Sequence, residues 1–255
     1  MKEILDKKNL DKKILNKKIL DKKIKELDIE LTDIQLQQFV TYYELLVEWN
    51  KVMNLTGITE YEEVVEKHFV DSLALVKIMD KEYIQSKENS VIDIGTGAGF
   101  PGIPLKIVFP HLKVTLLDSL NKRIKFLNTV IDELGLERIE TIHGRAEDFA
   151  KQKNYREQYD LCVSRAVANL ATLSEYCLPY VKVGGNFIPY KSGEIEKELE
   201  ESKNAVDMLG GKVKDVVRFE LPGTDIKRSM IMIDKVKNTN KKYPRKAGVP
   251  GKEPL

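Results

Sequence analysis

The sequence predicts an α/β protein: a doubly wound, mostly parallel sheet behind an N-terminal helical cap. Three observations predict it. A short β-branched run, Val91-Ile92-Asp93-Ile94, leads straight into Gly95-Thr96-Gly97-Ala98-Gly99-Phe100-Pro101-Gly102, which reads as buried strand, tight turn and helix start. Strand-like and helix-like segments then alternate to about residue 209, the pattern of βα units. The alternation ends in two strand-like runs, 212–221 and 229–236, joined by Pro222-Gly223-Thr224-Asp225. Such a hairpin makes the last of seven strands antiparallel.

Composition sets the bounds. The chain has 255 residues, 42% of them hydrophobic, enough for one large domain with an appendage. It holds no apolar run of about 18 residues, so no membrane span is expected. The first residues carry charges throughout and no apolar signal core, so the expectation is a cytoplasmic protein. Cys162 and Cys177 are its only cysteines; their spacing fits no zinc pattern, and no metal is expected. Charge is uneven. Residues 1–30 carry +3 and residues 227–255 carry +7, which leaves −8 between them in a chain of net charge +2. An acidic body with a basic tail suits a nucleic-acid partner or a solubilising tail.

In order, residues 1–30 form a low-complexity, Lys-rich extension. Ile4-Leu5-Asp6-Lys7-Lys8 recurs three more times with a period of five, up to Ile19-Leu20-Asp21-Lys22-Lys23. Five helical positions advance 140° at 100° each, so the apolar pairs walk around a helix and make no stripe. A frayed helix or disordered arm that does not dock is expected. Residues 31–85 read as the helical cap. Thr32 or Asp33 can cap a helix carrying Leu36, Phe39, Val40, Tyr43, Leu46, Val47 and Trp49, and a second helix runs from about Glu60 to Met79. His68 in that helix reads as a buried, satisfied histidine. Residues 86–238 carry the alternation: strands at 113–118, 139–142, 159–164 and 183–190, with helices at 101–109, 121–135, 169–179 and 194–209. Residues 239–255 hold Pro244, Gly248, Pro250, Gly251 and Pro254 among Lys and Arg, which argues for an extended basic tail.

The glycine loop carries the chemistry, and it is ambiguous alone. Gly97, Gly99 and Gly102 fit the dinucleotide G-x-G-x-x-G pattern, with Asp118 about 20 residues on. The same glycines fit the D-x-G-x-G-x-G loop of adenosylmethionine-dependent methyltransferases, and Asp93 favours that reading. An acid there can hold the loop or face the cationic amino-acid end of the methyl donor. The terminal antiparallel strand also belongs to the methyltransferase variant of the sheet. A dinucleotide-dependent oxidoreductase and a non-catalytic RNA- or ribosome-binding protein on the same scaffold remain the alternatives.

Five motifs in order make the resemblance specific: Trp49-Asn50-Lys51 with Asn54-Leu55-Thr56; His68 to Leu73; Asp93 to Leu105; Leu116-Leu117-Asp118-Ser119 with Lys122-Arg123; and Val163-Ser164-Arg165-Ala166. From about residue 32 onward the chain resembles the 16S ribosomal RNA guanine-N7 methyltransferases, also called glucose-inhibited division protein B. The resemblance implies a Rossmann-like class I methyltransferase sheet, S-adenosylmethionine as cofactor and 16S ribosomal RNA or the small ribosomal subunit as partner. It implies methylation at N7 of a guanine in the 530 loop. A monomer is expected. Asp93, Gly95, Gly97, Gly99 and Phe100 would form the donor loop. Asp118, at a strand end, would accept the ribose hydroxyls. Ala146 and Glu147 would meet the adenine, and Arg165 the cofactor. Arg165, with Lys191 and Arg228 near other strand ends, is also a candidate beside the substrate. No catalytic base is expected, because guanine N7 has a free lone pair and no proton to lose.

Overall fold

The structure is a computed structural model and describes residues 2–86, 89–165 and 168–255. Seven strands make one sheet: β1 (Ser90–Ile94), β2 (Lys113–Asp118), β3 (Ile139–His143), β4 (Tyr159–Arg165), β5 (Val181–Ser192), β6 (Gly211–Glu220) and β7 (Lys227–Lys235). Their order is β3-β2-β1-β4-β5-β7-β6. The first five are parallel to one another, and β7 lies antiparallel to both β5 and β6. The chain moves outward from β1 to β3, then returns to start again at β4. The crevice between β1 and β4 is therefore the switch point, where open α/β sheets take ligands.

Alternation along the strands sorts two cores onto the two faces. Val91 and Leu116 face the N-terminal helices, with Phe39, Tyr42, Phe69, Ile103 and Phe126. Ile92, Ile94 and Leu117 face the other way, with Leu173, Phe187 and Ile231. Four helices connect the strands: α6 (Gly102–Val108), α7 (Asn121–Glu133), α9 (Leu170–Cys177) and α10 (Glu196–Met208), with a short α8 (Ala146–Phe149) after β3.

The cap begins with α1 (Lys2–Lys25) and α2 (Asp33–Met53). Thr32 caps α2 in a reciprocal box. The Gln35 amide donates to Thr32 Oγ1 at 3.3 Å, and the Thr32 amide donates to Gln35 Oε1 at 2.9 Å. Asn54 ends the helix in the left-handed region at φ 49°. The second cap helix is not regular. It runs as α3 (Tyr61–Val64), a π turn (Val65–Val70), α4 (Asp71–Leu73) and a 3₁₀ turn (Ala74–Lys77), followed by α5 (Lys81–Ser86). Such wide turns cluster at functional sites, and this one carries His68 and precedes Asp71.

Two expectations are corrected here. The N-terminal helix does dock. Leu20, Ile24 and Leu27 are at most 1% exposed. Lys23 pairs with Glu66 at 2.7 Å, and the Tyr61 hydroxyl donates to the Asn16 carbonyl at 2.8 Å. The reason lies toward the end of the pentads. Asn16 and Leu20 in the last two pentads, and Ile24 and Leu27 beyond them, are spaced four, four and three apart, which keeps them on one face of the helix and of the turn that ends it. Ile14 and Leu15, inside the repeat, stay about half exposed at 46% and 56%. The C-terminal tail is not extended either. Lys235 is buried against the Leu178 carbonyl and Glu157. Arg156 donates to the carbonyls of Thr239 and Tyr243 at 2.7 and 2.9 Å. A short α11 (Val249–Lys252) follows. Pro and Gly exclude long regular elements here, and side-chain bonds to backbone carbonyls order the segment instead.

Candidate functional site

The loop after β1 is built from its own backbone. Gly95, Gly97 and Gly99 all have positive φ, at 71°, 63° and 98°, a region that glycine enters without steric cost. At Gly97 a side chain would stand in open space but on a strained backbone. At Gly99 a Cβ would come within 2.7 Å of the Tyr42 hydroxyl and 2.6 Å of Ile103. The Tyr42 hydroxyl also donates to the Ala98 carbonyl, which ties α2 to the loop.

Asp93 braces this loop from beneath. Its Oδ2 accepts from the Thr96 hydroxyl at 2.7 Å and from the Gly102 amide at 2.9 Å, while its Oδ1 is buried without a partner. Burial, only partly offset by those two bonds, pushes the carboxyl up to about 6. Asp118 lies one strand over at 2% exposure. Its Oδ2 accepts from the Gly97 amide at 2.9 Å and its Oδ1 from the Leu120 amide at 2.9 Å. Arg123 covers the same carboxylate at 3.1 Å.

Around the loop opens a cavity of about 470 Å³. Gly95, Gly97, Phe100, Asp118, Ala146, Glu147 and Arg165 line it; Asp93 and Gly99 lie behind its wall. Glu147 is 4% exposed, and its Oε1 accepts from the Gly248 amide of the tail at 2.8 Å. The tail is also clamped at Arg245, which meets both oxygens of buried Glu175 at distances from 2.7 to 3.1 Å.

A second cavity, of about 440 Å³, abuts the first. Its lining includes Asp71, Tyr190, Lys191, Glu198 and Arg228, and it shares His68 and Arg165 with the first. Asp71 is its centre. Arg165 donates to Oδ2 at 2.9 Å and Arg228 to Oδ1 at 2.8 Å, and the carboxylate is 3% exposed. Arg165 also donates to the Lys67 carbonyl at 2.9 Å and stands 5.1 Å over the Phe100 ring. His68 stacks on Phe100 at 4.6 Å and bonds Thr56 Oγ1 through Nε2 at 2.9 Å. Burial and the Arg165 charge hold its imidazole down at about 4, so it is neutral near pH 7. Lys191 donates to the Ala168 carbonyl and to Glu198, each at 2.6 Å.

The model of the family described as rRNA small subunit methyltransferase G matches residues 35–230. The chain belongs to that family. A "Ribosomal RNA small subunit methyltransferase G" of Lachnoclostridium phytofermentans is 58% identical over 86% of this chain and 89% of its own length. Its namesake in Alkaliphilus metalliredigens is 54% identical over 86% and 90%. Among solved structures, MtNAS in complex with MTA and tNA has a TM-score of 0.51 at 15% identity, covering 80% of this chain and 75% of that one. That likeness concerns the fold alone.

Within this methyltransferase family frame, the sequence reading missed the links between regions. His68 has a partner constellation: Thr56, Phe100 and Arg165. The signal was present in Asn54-Leu55-Thr56 and in His68 to Leu73, two motifs noted separately that meet here. Asp71, though inside the second motif, and Glu198 carried no signal of a role, because an acid inside a helix reads as a solvated face. Ala166, the last residue of its motif, lies outside the described residues. Among the described residues no helix is long and apolar enough to cross a membrane, and no cluster of metal-ligating side chains forms.

Proposed function

We propose that this chain transfers a methyl group from S-adenosylmethionine to N7 of a guanine in the 530 loop of 16S ribosomal RNA. Its family makes it a small-subunit ribosomal RNA methyltransferase. One observation carries the finer reading: two cavities meet across Arg165 and His68. The first suits a nucleoside with an amino-acid end, and the second suits a polar base.

The residues present fit the donor. The turn at Gly95 and Gly97 brings bare backbone to the cavity, with no Cβ in the way. Asp118 stands where ribose hydroxyls would replace the Arg123 guanidinium on its carboxylate. Ala146 and Glu147 flank the adenine end, held by the tail through Gly248. Asp93 acts through the loop and touches no ligand: with Thr96 and Gly102 it sets the turn. Arg165 would meet the amino-acid end, and Asp71 holds its guanidinium in place. Bound there, the donor supplies an electrophilic methyl group.

The protein's share of the work is alignment. Guanine N7 forms its bond to the methyl carbon with its own lone pair. The carbon–sulfur bond of the bound donor would break with its electrons going to sulfur, which would lose its positive charge as the base gained one. No proton leaves N7, so no side chain acts as a base, and neutral His68 suits that environment. Positioning of this kind is worth roughly 7–11 kcal/mol. The guanine has to be unstacked, as in a single-stranded loop. We take the chain to act in the cytoplasm, as a monomer, on 16S RNA or the small subunit.

A thermal-shift series tests the reading. S-adenosylmethionine and S-adenosylhomocysteine should each raise the melting temperature, and NADH should not. Stabilisation by NADH alone would overturn it in favour of a dinucleotide enzyme.

A further inference from the structure

We infer that the Lys191–Glu198 pair reads the O6 and N1–H edge of the target guanine and so sets the choice of base. This rests on the reading above that the second cavity receives the guanine. The argument is an inventory of free donors and acceptors at the ends of β5 and α10.

The cavity has two carboxylates, Asp71 and Glu198. Asp71 is spent, since each oxygen already takes a guanidinium N–H and the residue is 2% exposed. Glu198 is not. Its Oε1 accepts from Lys191 at 2.6 Å and from the Leu170 amide at 2.5 Å. No donor among the described residues bonds its Oε2, and its side chain is 28% exposed. An ammonium has three N–H groups. Lys191 uses one on the Ala168 carbonyl and one on Glu198. One N–H remains.

The pair therefore offers a free donor beside a free acceptor. Backbone groups fix both ends: the Ala168 carbonyl holds the lysine, and the Leu170 amide holds the glutamate. Guanine has the complementary order, with the O6 acceptor beside the N1–H donor. Adenine has the reverse, with an amino donor beside the N1 acceptor. Seating adenine would oppose donor to donor and acceptor to acceptor in a partly desolvated site, where unmatched polar groups are costly. The charges of the pair cancel, so it reads hydrogen bonds without attracting any base by charge alone. Guanine N7 lies on the next edge, beyond O6, and is left free to face the wall shared with the donor cavity.

The test uses 16S RNA with the target guanosine replaced by inosine or 2-aminopurine, scored by kcat/KM for N7 methylation. Inosine keeps O6 and N1–H and lacks the 2-amino group. 2-Aminopurine keeps the amino group and lacks O6 and N1–H. The wild-type protein should use inosine within about fivefold of guanosine and use 2-aminopurine about 100-fold less well or worse, as sites built to hydrogen-bond a substrate group discriminate. Glu198→Gln keeps the bond to Lys191 and puts an amide N–H₂ where Oε2 stood. In that variant guanosine should fall by about 30-fold and the gap to 2-aminopurine should narrow by at least about tenfold, with donor affinity by calorimetry unchanged. Intrinsic differences between the bases cancel in that comparison. Inosine falling as far as 2-aminopurine in the wild-type protein would overturn the inference, because the 2-amino group would then be the feature read. So would an unchanged ratio in Glu198→Gln. No methylation of unmodified RNA at any N7 would instead remove the reading on which the inference rests.

Discussion

The two cavities share a wall and differ in construction. The first is lined largely by two short chain segments, residues 94–98 with Phe100 and residues 144–147, with Asp118 one strand away. The second is made by side chains that meet from β4, β5, β7, α10, the π turn and α4. Glycine dihedrals and amide bonds hold the first. An ion network holds the second, with Asp71 between Arg165 and Arg228. A backbone-built pocket tolerates loss of a side chain with a local penalty. A network-built one fails as a unit, because removing one member strands a buried charge.

The largest effect should therefore come from the network. Asp71→Ala leaves two arginines facing one another in a site where the carboxylate was 3% exposed. Removing one partner of a buried ion pair costs about 3–5 kcal/mol, read as a lower urea midpoint at unchanged slope. A loss under about 1 kcal/mol, the range of exposed pairs, would mean that solvent replaces the carboxylate and the network is not an anchor. In the first cavity, Asp118→Ala should leave the fold in place and weaken S-adenosylmethionine binding by about 1.5–3 kcal/mol, the worth of a charge-assisted bond. Unchanged calorimetric affinity would remove Asp118 from the donor site.

Titration contrasts the brace under the loop with the wall that the cavities share. Asp93 is pushed up to about 6, so the native state keeps a proton that the unfolded chain has lost. Its contribution falls as pH rises from about 4 to 6. His68 is held down at about 4, so the unfolded chain takes a proton that the native state refuses. Its contribution rises from about pH 4 to 6.5. The slopes oppose, each with a swing of about 3 kcal/mol. Asp93→Asn should expose the rising slope, and His68→Asn the falling one. Equal pH profiles in both variants would show that these two groups do not carry the dependence.

The same difference explains what was legible in the sequence. The glycine loop, Asp118 and the strand alternation are local patterns, and the observed strands end within two residues of the expected ones. The π turn was invisible, since helical spacing is the same on either side of it. The Asp71 network joins residues 94 and 157 positions apart, and no local pattern encodes such a meeting. The N-terminal extension failed for another reason. The pentad period was read over the whole repeat, while the buried face that docks is Asn16, Leu20, Ile24 and Leu27, toward its end. In the tail, a count of cations did not distinguish Lys235 and Arg245, which are held by glutamates, from those that are exposed.

That distinction gives the smallest expected effect. Lys241, Lys242 and Lys246 remain exposed. Replacing these three with alanine should flatten the log–log salt dependence of RNA binding by at most about 2–3 units, from phosphate contacts alone, and leave donor affinity unchanged. A loss of donor affinity would assign them instead to the strap that reaches Glu147 through Gly248.

The central claim is that the two cavities together present one guanine N7 to one methyl group. Primer extension after chemical cleavage at 7-methylguanine tests it most directly, on 16S RNA incubated with the protein and S-adenosylmethionine. The account predicts a single donor-dependent stop, in the 530 loop, that is absent when S-adenosylhomocysteine replaces the donor. Donor-dependent methylation of that RNA with no stop at any N7 would contradict it.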